Sequence, residues 1–112
     1  MNLDLDKIIF KSIKKDKIDL NCSGFHWVSH GRSGYIYFVE NTNVLPIAIE
    51  MPGVDYLDVL VFGEIEHLSK RYNPKKYKVE ELTIEERKRI QKRLVNWLNE
   101  KGLRHDLKIS NY

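Results

Sequence analysis

The sequence predicts an α+β fold, with an antiparallel β-meander of four to six strands, one long C-terminal helix packed on a face, and a final short strand. Three observations support this prediction. Runs of β-favouring residues separated by turn residues fill 25–62, a capped amphipathic stretch follows at 83–102, and apolar residues alternate again from Leu103. The length of 112 residues fits a single domain over 1–112.

The N-terminal third contains one undecided segment and two β-favouring ones. The first 17 residues leave helix and strand open, because their few apolar positions fit either period. Ile18, Leu20 and Cys22 alternate with polar residues, which predicts a half-buried strand. Residues 25–28 extend this β-favouring stretch toward a turn that contains Gly31.

Two further strands are predicted around the turn at 41–43. They cover 35–39 and 44–50, and the Asx side chains between them bond readily to nearby backbone. Pro46 lacks a backbone donor, so the second strand is expected to lie at a sheet edge or to begin after the proline. Residues 51–54 then predict a type II turn.

The second half of the chain begins with the strongest predicted strand, at 56–62. Residues 63–72 fit a short helix or a strand end, and 75–82 is expected to be a charged connector. Thr83 with Glu86 then predicts a helix N-terminus through a capping box, and Gly102 predicts its end. The apolar stripe that is expected to cover the sheet consists of Ile90, Leu94, Trp97 and Leu98.

Charge is divided unevenly along the chain. Residues 33–69 contain no Lys or Arg, whereas residues 69–104 contain twelve of them against five Glu. The net charge of +3 hides this division. Clustered charge of one sign steers a charged partner toward one surface, so the division predicts a binding protein. The carboxylates expected to form the binding surface are Glu50, Asp55, Asp58, Glu64 and Glu66.

Residue patterns typical of catalytic or metal sites are weak in this sequence. Cys22, His26 and His30 recur every fourth residue, and in an extended strand that spacing separates the side chains by about 13 Å, too far to share one zinc ion. Ser33 lacks the glycine spacing of a nucleophile elbow. The sequence therefore predicts a protein that is not an enzyme and that has no cofactor and no metal. A small metal-dependent enzyme that uses the acidic residues or His26 and His30 is a third alternative.

A basic segment provides an alternative function. Residues 70–78 interleave lysines and an arginine with Tyr72 and Tyr77. Nucleobases stack on tyrosine while lysines contact phosphate, so this segment and the C-terminal helix together predict a small nucleic-acid-binding domain. The same pattern also fits a solvated loop whose tyrosines pack on the sheet.

The order of elements from Tyr35 onward resembles small immunity proteins of bacterial polymorphic toxin systems. The resemblance is carried by the strand residues at 36–38 and 56–62, by Pro52-Gly53, by the helix residues at 83–98, and by Gly102. It implies a protein that neutralises a cognate toxin by binding it, with a basic toxin domain as the expected partner. It assigns no role to any single residue.

Cysteine content and hydropathy lead to expectations about location. Cys22 is the single cysteine, which excludes an intramolecular disulfide and suits a reducing compartment. The N-terminus opens with acidic residues, and no apolar run approaches the length needed to span a bilayer. A cytoplasmic protein with no membrane partner is therefore expected.

Overall fold

The structure, a computed structural model, describes residues 3–109. One antiparallel sheet lies between two α-helices and is accompanied by a 3-10 helix at Ile65–His67. The helices are α1 (Leu3–Lys15) and α2 (Ile84–Glu100). The strands are β1 (Gly24–Ser29), β2 (Ser33–Glu40), β3 (Asn43–Glu50), β4 (Leu60–Val61), β5 (Lys70–Asn73) and β6 (Lys78–Glu81).

The sheet has six strands, in the order β1-β2-β3-β5-β6, and β4 pairs with the far end of β3. All strand pairs are antiparallel, and neighbours along the chain are largely neighbours in the sheet. The predicted α+β meander with a long C-terminal helix is therefore confirmed. Neither of the described helices is long and apolar enough to cross a membrane.

The β2–β3 hairpin shows how local sequence sets the register. Glu40 pairs with Asn43, and the two residues between them, Asn41 and Thr42, have φ angles of 53° and 62°. Two consecutive left-handed residues make the tight turn whose twist matches paired strands, as the predicted turn at 41–43 requires.

The expectation that Pro46 marks an edge or a strand start is wrong. β3 begins at Asn43 and has neighbours on both sides. On one side of β3, Pro46 lies opposite Tyr37 of β2. On the other side, β3 pairs with β5 at Val44 and with β4 at Ile49 and Glu50, and Pro46 lies between these two pairings. Its missing N–H therefore interrupts no ladder hydrogen bond.

Helix α2 covers one face of the sheet with aliphatic side chains. Leu94 and Leu98 are fully buried and belong to the same core as Ile36 and Ile47 of the central strands. The helix begins where predicted, because the Thr83 hydroxyl accepts a hydrogen bond from the Glu86 amide at 3.2 Å.

Helix α1 covers part of the opposite face, which decides the ambiguity of the first 17 residues in favour of a helix. Phe10 and Ile13 pack against residues of β2, β3 and β5. Two buried tyrosines of the sheet donate hydrogen bonds to the helix side, from Tyr37 to Asp16 at 2.6 Å and from Tyr72 to Asp6 at 2.9 Å. Both ends of this segment are thus tied to the sheet.

Three segments differ from the predicted strands. Ile18, Leu20 and Cys22 lie in a loop, whose two apolar residues pack under α1. Residues 56–62 contain only the two-residue strand β4, because the Asp58 and Val59 amides both bond to the Arg104 carbonyl. The predicted connector at 75–82 contains β6, which pairs with β5.

The segment after α2 runs beside the 56–62 region. Gly102 has a φ of 68°, the left-handed conformation that ends a helix, as predicted. The expected final strand is reduced to a single parallel bridge between His105 and Val59. Leu107 is buried in the α2-side core, so this segment contributes mainly through packing.

Candidate protein-binding surface

The five carboxylates expected to form the binding surface fall at three places in the fold. Glu50 ends β3 and is exposed, and Asp55 is exposed in the loop that follows. Glu64 and Glu66 lie at the 3-10 helix. Within residues 3–109, no group of three or more His, Cys, Asp or Glu side chains is arranged to hold a metal ion.

Asp58 forms an ion pair with Arg104 at the surface of the protein. The Arg104 guanidinium donates to its two carboxylate oxygens at 3.0 and 3.2 Å, and the Arg104 amide donates at 2.8 Å. These hydrogen bonds lower the pKa of Asp58 to about 2. The side chain therefore fastens the 51–59 loop to the chain end after α2, and its charge is already compensated.

Glu64 and Glu66 differ in their surroundings. Glu64 immediately precedes the 3-10 helix, its Oε2 lies 4.0 Å from His67 Nε2, and that oxygen is buried without a hydrogen-bond partner. Glu66 is exposed. Of the five carboxylates, Glu50, Asp55 and Glu66 are therefore the ones that are exposed and form no ion pair with a described residue.

The loop after β3 adds a feature that the charge pattern did not reveal. Met51, Val54 and Tyr56 are 38%, 40% and 69% exposed, although each is large and apolar or aromatic. Met51 follows Glu50 in the chain, and Val54 and Tyr56 flank Asp55. We call these five residues the 50–56 surface. The predicted type II turn at 51–54 is wrong, because Gly53 does not have the positive φ that such a turn requires. A sequence signal for the exposed residues was still available, since Pro52 and Gly53 interrupt the strand and leave the apolar residues beside them without a sheet in which to be buried.

The 50–56 surface adjoins a part of the sheet that α1 leaves open. Ala48 of β3 is exposed, and its carbonyl accepts a hydrogen bond from the Phe62 amide at 3.0 Å. Leu60, which pairs with Glu50, and Phe62 are only half-buried. Apolar surface therefore extends from the loop toward this end of the sheet.

The basic segment 70–78 is a β-hairpin whose aromatic residues are largely engaged. Burial and the Asp6 carboxylate raise the pKa of Tyr72, which lies in the α1-side core. Tyr77 stacks on Phe10 of α1, with ring centroids 4.3 Å apart. Arg71 pairs with Glu80 and Glu86. The exposed cations of this segment are Lys75, Lys76 and Lys78.

Two arginines of α2 also form ion pairs with carboxylates of this chain. Arg89 donates to Glu40 at 2.6 and 3.1 Å and to Glu86 at 2.6 and 3.2 Å. Arg93 donates to Glu40 at 3.1 Å and lies over the Phe38 ring. Glu40 thus bridges β2 to α2, and its pKa is lowered by the Arg89 hydrogen bonds. These contacts weaken the expectation that α2 supplies free cations.

Unpaired lysines concentrate instead on α1 and the tip of the β5–β6 hairpin. The Phe10–Tyr77 stack brings these two elements together. A groove of about 350 Å³ lies between them, with an apolar floor that includes Ile13 and Pro74 and with Lys14 and Lys17 at its sides. The further exposed lysines of these two elements are Lys7, Lys11, Lys15, Lys75 and Lys76. Sequence reasoning missed this surface because it left the state of α1 open.

The Cys22, His26 and His30 side chains have separate surroundings. The His26 Nε2 donates to the Cys22 carbonyl at 2.7 Å, and the His30 Nε2 lies 3.0 Å from the Asp16 carboxylate. Cys22 is exposed. His26 therefore joins β1 to the loop before it, and His30 joins the β1–β2 turn to the segment after α1.

The fold and surfaces define a small α+β domain with one acidic and apolar surface and one lysine-rich surface. No family model matches the chain, and neither a curated protein nor a solved structure matches it. The function is therefore argued from these surfaces.

Proposed function

We propose that this chain is a non-enzymatic protein-binding module that takes a basic protein partner on its 50–56 surface. The observation that carries the proposal is the exposure of Met51, Val54 and Tyr56 next to Glu50 and Asp55, two carboxylates that form no ion pair with a described residue. Exposed aromatic and Met side chains surrounded by charge are the composition of protein interfaces.

The two parts of the surface contribute differently to binding. Tyr56 and its apolar neighbours provide area to be desolvated, and such anchors supply most of the binding energy. Glu50 and Asp55 lie in the part of the chain that lacks Lys and Arg, so their field is not cancelled by neighbours in sequence. Carboxylates at the rim raise the association rate of a basic partner and disfavour acidic ones.

An immunity-type inhibitor is the specific form of this proposal. The sequence resemblance described above implies that the partner is a cognate toxin and that binding neutralises it by occlusion. A basic toxin domain would complement the 50–56 surface.

The proposal is tested by affinity capture from the native lysate, with nuclease treatment and quantitative mass spectrometry. The test variant is Glu50→Lys with Asp55→Lys, and Tyr56→Ala is a second variant that removes the apolar anchor. The matched control is Glu81→Lys, which changes an exposed carboxylate of β6. Asp58 is left unchanged because reversing its charge would break the pair with Arg104.

We expect a stoichiometric basic protein to survive nuclease treatment with the unmodified chain and the control. Its affinity is expected to fall by about 30-fold or more in the Tyr56 variant. The double charge reversal should chiefly slow association, most strongly at low salt. Full retention of the partner by both variants, with unchanged circular dichroism, would reject the 50–56 surface.

A second candidate function is nucleic-acid binding, and the lysine-rimmed groove beside α1 is the observation that favours it. Its apolar floor suits unstacked bases and its lysines suit phosphates. Single-stranded DNA or RNA affinity should then fall steeply with salt, and Lys14→Glu with Lys76→Glu should weaken it, whereas Lys101→Glu should not. Absence of binding at low salt would remove this candidate.

A further inference from the structure

The two edges of the sheet are protected differently. β6 is the edge at one end, and three of its four residues are charged (Lys78, Glu80 and Glu81). β1 is the edge at the other end, and its six residues, Gly24–Ser29, include no charge and no proline. Natural sheets usually protect an exposed edge with charges, prolines or bulges, because unpaired backbone groups pair with other strands.

The register shows which backbone groups of β1 are free. The His30 amide donates to the Ser33 carbonyl at 2.7 Å, so this pair is a hydrogen-bonded one. Because hydrogen-bonded pairs alternate along an antiparallel ladder, Val28 and His26 bond to β2. The N–H and C=O groups of Phe25, Trp27 and Ser29 therefore point away from β2, toward the open edge.

An apolar groove runs beside this edge on the α2 side. Trp27 pairs in register with Ile36, so its side chain lies on the face that α2 covers. A depression of about 350 Å³ is lined by Trp27, Trp97, Lys101 and Leu103. Both tryptophans of the chain are only half-buried here. Tryptophan in a partly desolvated pocket is a frequent anchor of protein interfaces.

We propose that β1 pairs with β1 of a second copy of this chain, antiparallel and with the two-fold axis at Trp27. This register places Trp27 opposite its symmetry mate and Phe25 opposite Ser29. The outward N–H and C=O groups of all three residues are then satisfied, and the two sheets become continuous. The proposal is independent of the proposed function, since it uses the opposite side of β2 from the 50–56 surface.

Charges near the edge fit this arrangement. Glu100 lines the cavity at the Cys22–His26 end of β1, and Lys101 lines the groove at Trp27. Neither forms an ion pair with a described residue. The antiparallel register places the Glu100 end of each copy beside the half of the other copy's edge that follows Trp27, while Lys101 lies near the two-fold axis. β1 itself adds no Lys, Arg, Asp or Glu to the contact.

The first test is the mass of the purified chain in solution, measured by sedimentation across a wide concentration range. We expect a dimer that dissociates on dilution. Trp27→Lys places a charge at the two-fold axis, and Ser29→Pro removes an outward N–H without removing a bond to β2. Each is expected to raise the dimer dissociation constant by about 30-fold or more. Val79→Lys, on the other edge strand, is the matched control and should leave it unchanged.

Tryptophan emission provides an independent readout, because both tryptophans adjoin the edge. Emission should shift to longer wavelength as the dimer dissociates, and Trp97→Phe isolates the signal of Trp27. A monomer at every concentration would overturn the proposal. So would a dimer that survives both edge variants while they keep a native circular dichroism spectrum, and so would a monomer that binds an extended peptide along β1.

Discussion

The two helices cover the two faces of the same sheet by different means. Under α2 the contact is aliphatic, with Ile90, Leu94 and Leu98 fully or almost fully buried. Under α1 the apolar contact is smaller, and two tyrosine hydroxyls bond to Asp6 and Asp16. The comparison teaches that a helix whose buried side chains form a continuous apolar stripe is held by contact area. A helix that leaves apolar residues such as Leu5 and Ile8 exposed is held by directed polar bonds as well.

The two helices also differ in whether their cationic side chains form ion pairs. The α2 arginines Arg89 and Arg93 are bound to Glu40 of the sheet. The α1 lysines Lys7, Lys11 and Lys14 are exposed and form no ion pair with described residues. These two α2 cations are thus bound to the sheet, whereas the three α1 lysines present their charge to solvent.

The largest expected effect tests the aliphatic contact of α2. Leu94→Ala should destabilise the fold by about 3 kcal/mol, because a fully buried leucine leaves a cavity that the neighbours only partly fill. The free energy of unfolding is measured by urea denaturation. The control is Ile84→Ala, at an exposed position of the same helix, with an expected change of about 0.5 kcal/mol or less. Equal losses of unfolding free energy in the two variants would contradict the view that the buried face of α2 stabilises the fold.

A medium effect is expected from the polar attachment of α1. Burial, reinforced by the hydrogen bond to Asp16, raises the pKa of Tyr37, so its hydroxyl remains a donor at ordinary pH. Tyr37→Phe deprives the Asp16 carboxylate, whose side chain is only 4% exposed, of that donor, which should cost about 1–3 kcal/mol. Hydrogen exchange should show α1 opening faster while α2 remains protected.

Tyr72→Phe is the matched comparison for Tyr37→Phe. Its acceptor, Asp6, has a 16% exposed side chain and lies 3.7 Å from the Lys70 ammonium, so it keeps both water and a cation as partners. Asp16 keeps the His30 ring at 3.0 Å, but its 4% exposed side chain has little access to water. We expect a smaller loss of unfolding free energy than for Tyr37→Phe. If both variants matched the unmodified chain, the polar bonds would have no role in attaching α1.

The smallest expected effect concerns the ion pair between Arg89 of α2 and Glu40 of β2. The Arg89 hydrogen bonds lower the pKa of Glu40 below its ordinary value of 4.5. A carboxylate with a lowered folded pKa stabilises the fold above pH 4.5, and this stabilisation is lost as the pH falls through the folded value. Glu40→Gln should cost about 0.5–1 kcal/mol at neutral pH, and its difference from the unmodified chain should shrink below about pH 4.5.

Thermal unfolding from neutral pH to about pH 2 measures that difference. Glu81→Gln, at an exposed position without an ion pair among the described residues, should give a curve parallel to that of the unmodified chain. A Glu40→Gln difference that stays constant with pH would refute the assigned role of the Arg89 pair.

Features set by neighbouring residues were predictable, and features set by distant ones were not. The β2–β3 turn needs only Asn41 and Thr42 in left-handed conformations. The 56–62 region has strong β-favouring composition, yet Asp58 and Val59 bond to Arg104, which lies more than 40 residues away in sequence. No local pattern contains that information.

The candidate sites likewise have features that the sequence predicted and features that it could not predict. The charge division predicted an acidic binding region, and Glu50 and Asp55 are exposed, but the pairing of Asp58 with Arg104 depends on the chain end that follows α2. The lysine-rimmed groove could not be predicted, because it joins α1 to a turn some 60 residues further along the chain through the Phe10–Tyr77 stack.

The sequence by itself determined the α+β class, the β2–β3 hairpin and helix α2, whose cap at Thr83, apolar stripe and terminal Gly102 all act within a few residues. Only the tertiary structure decided that 3–15 is a helix, that Pro46 lies in a central strand, and that Met51, Val54 and Tyr56 face solvent. The physical reason is that short segments with mixed patterns take their conformation from the surface against which they pack. That surface exists only once distant segments have come together.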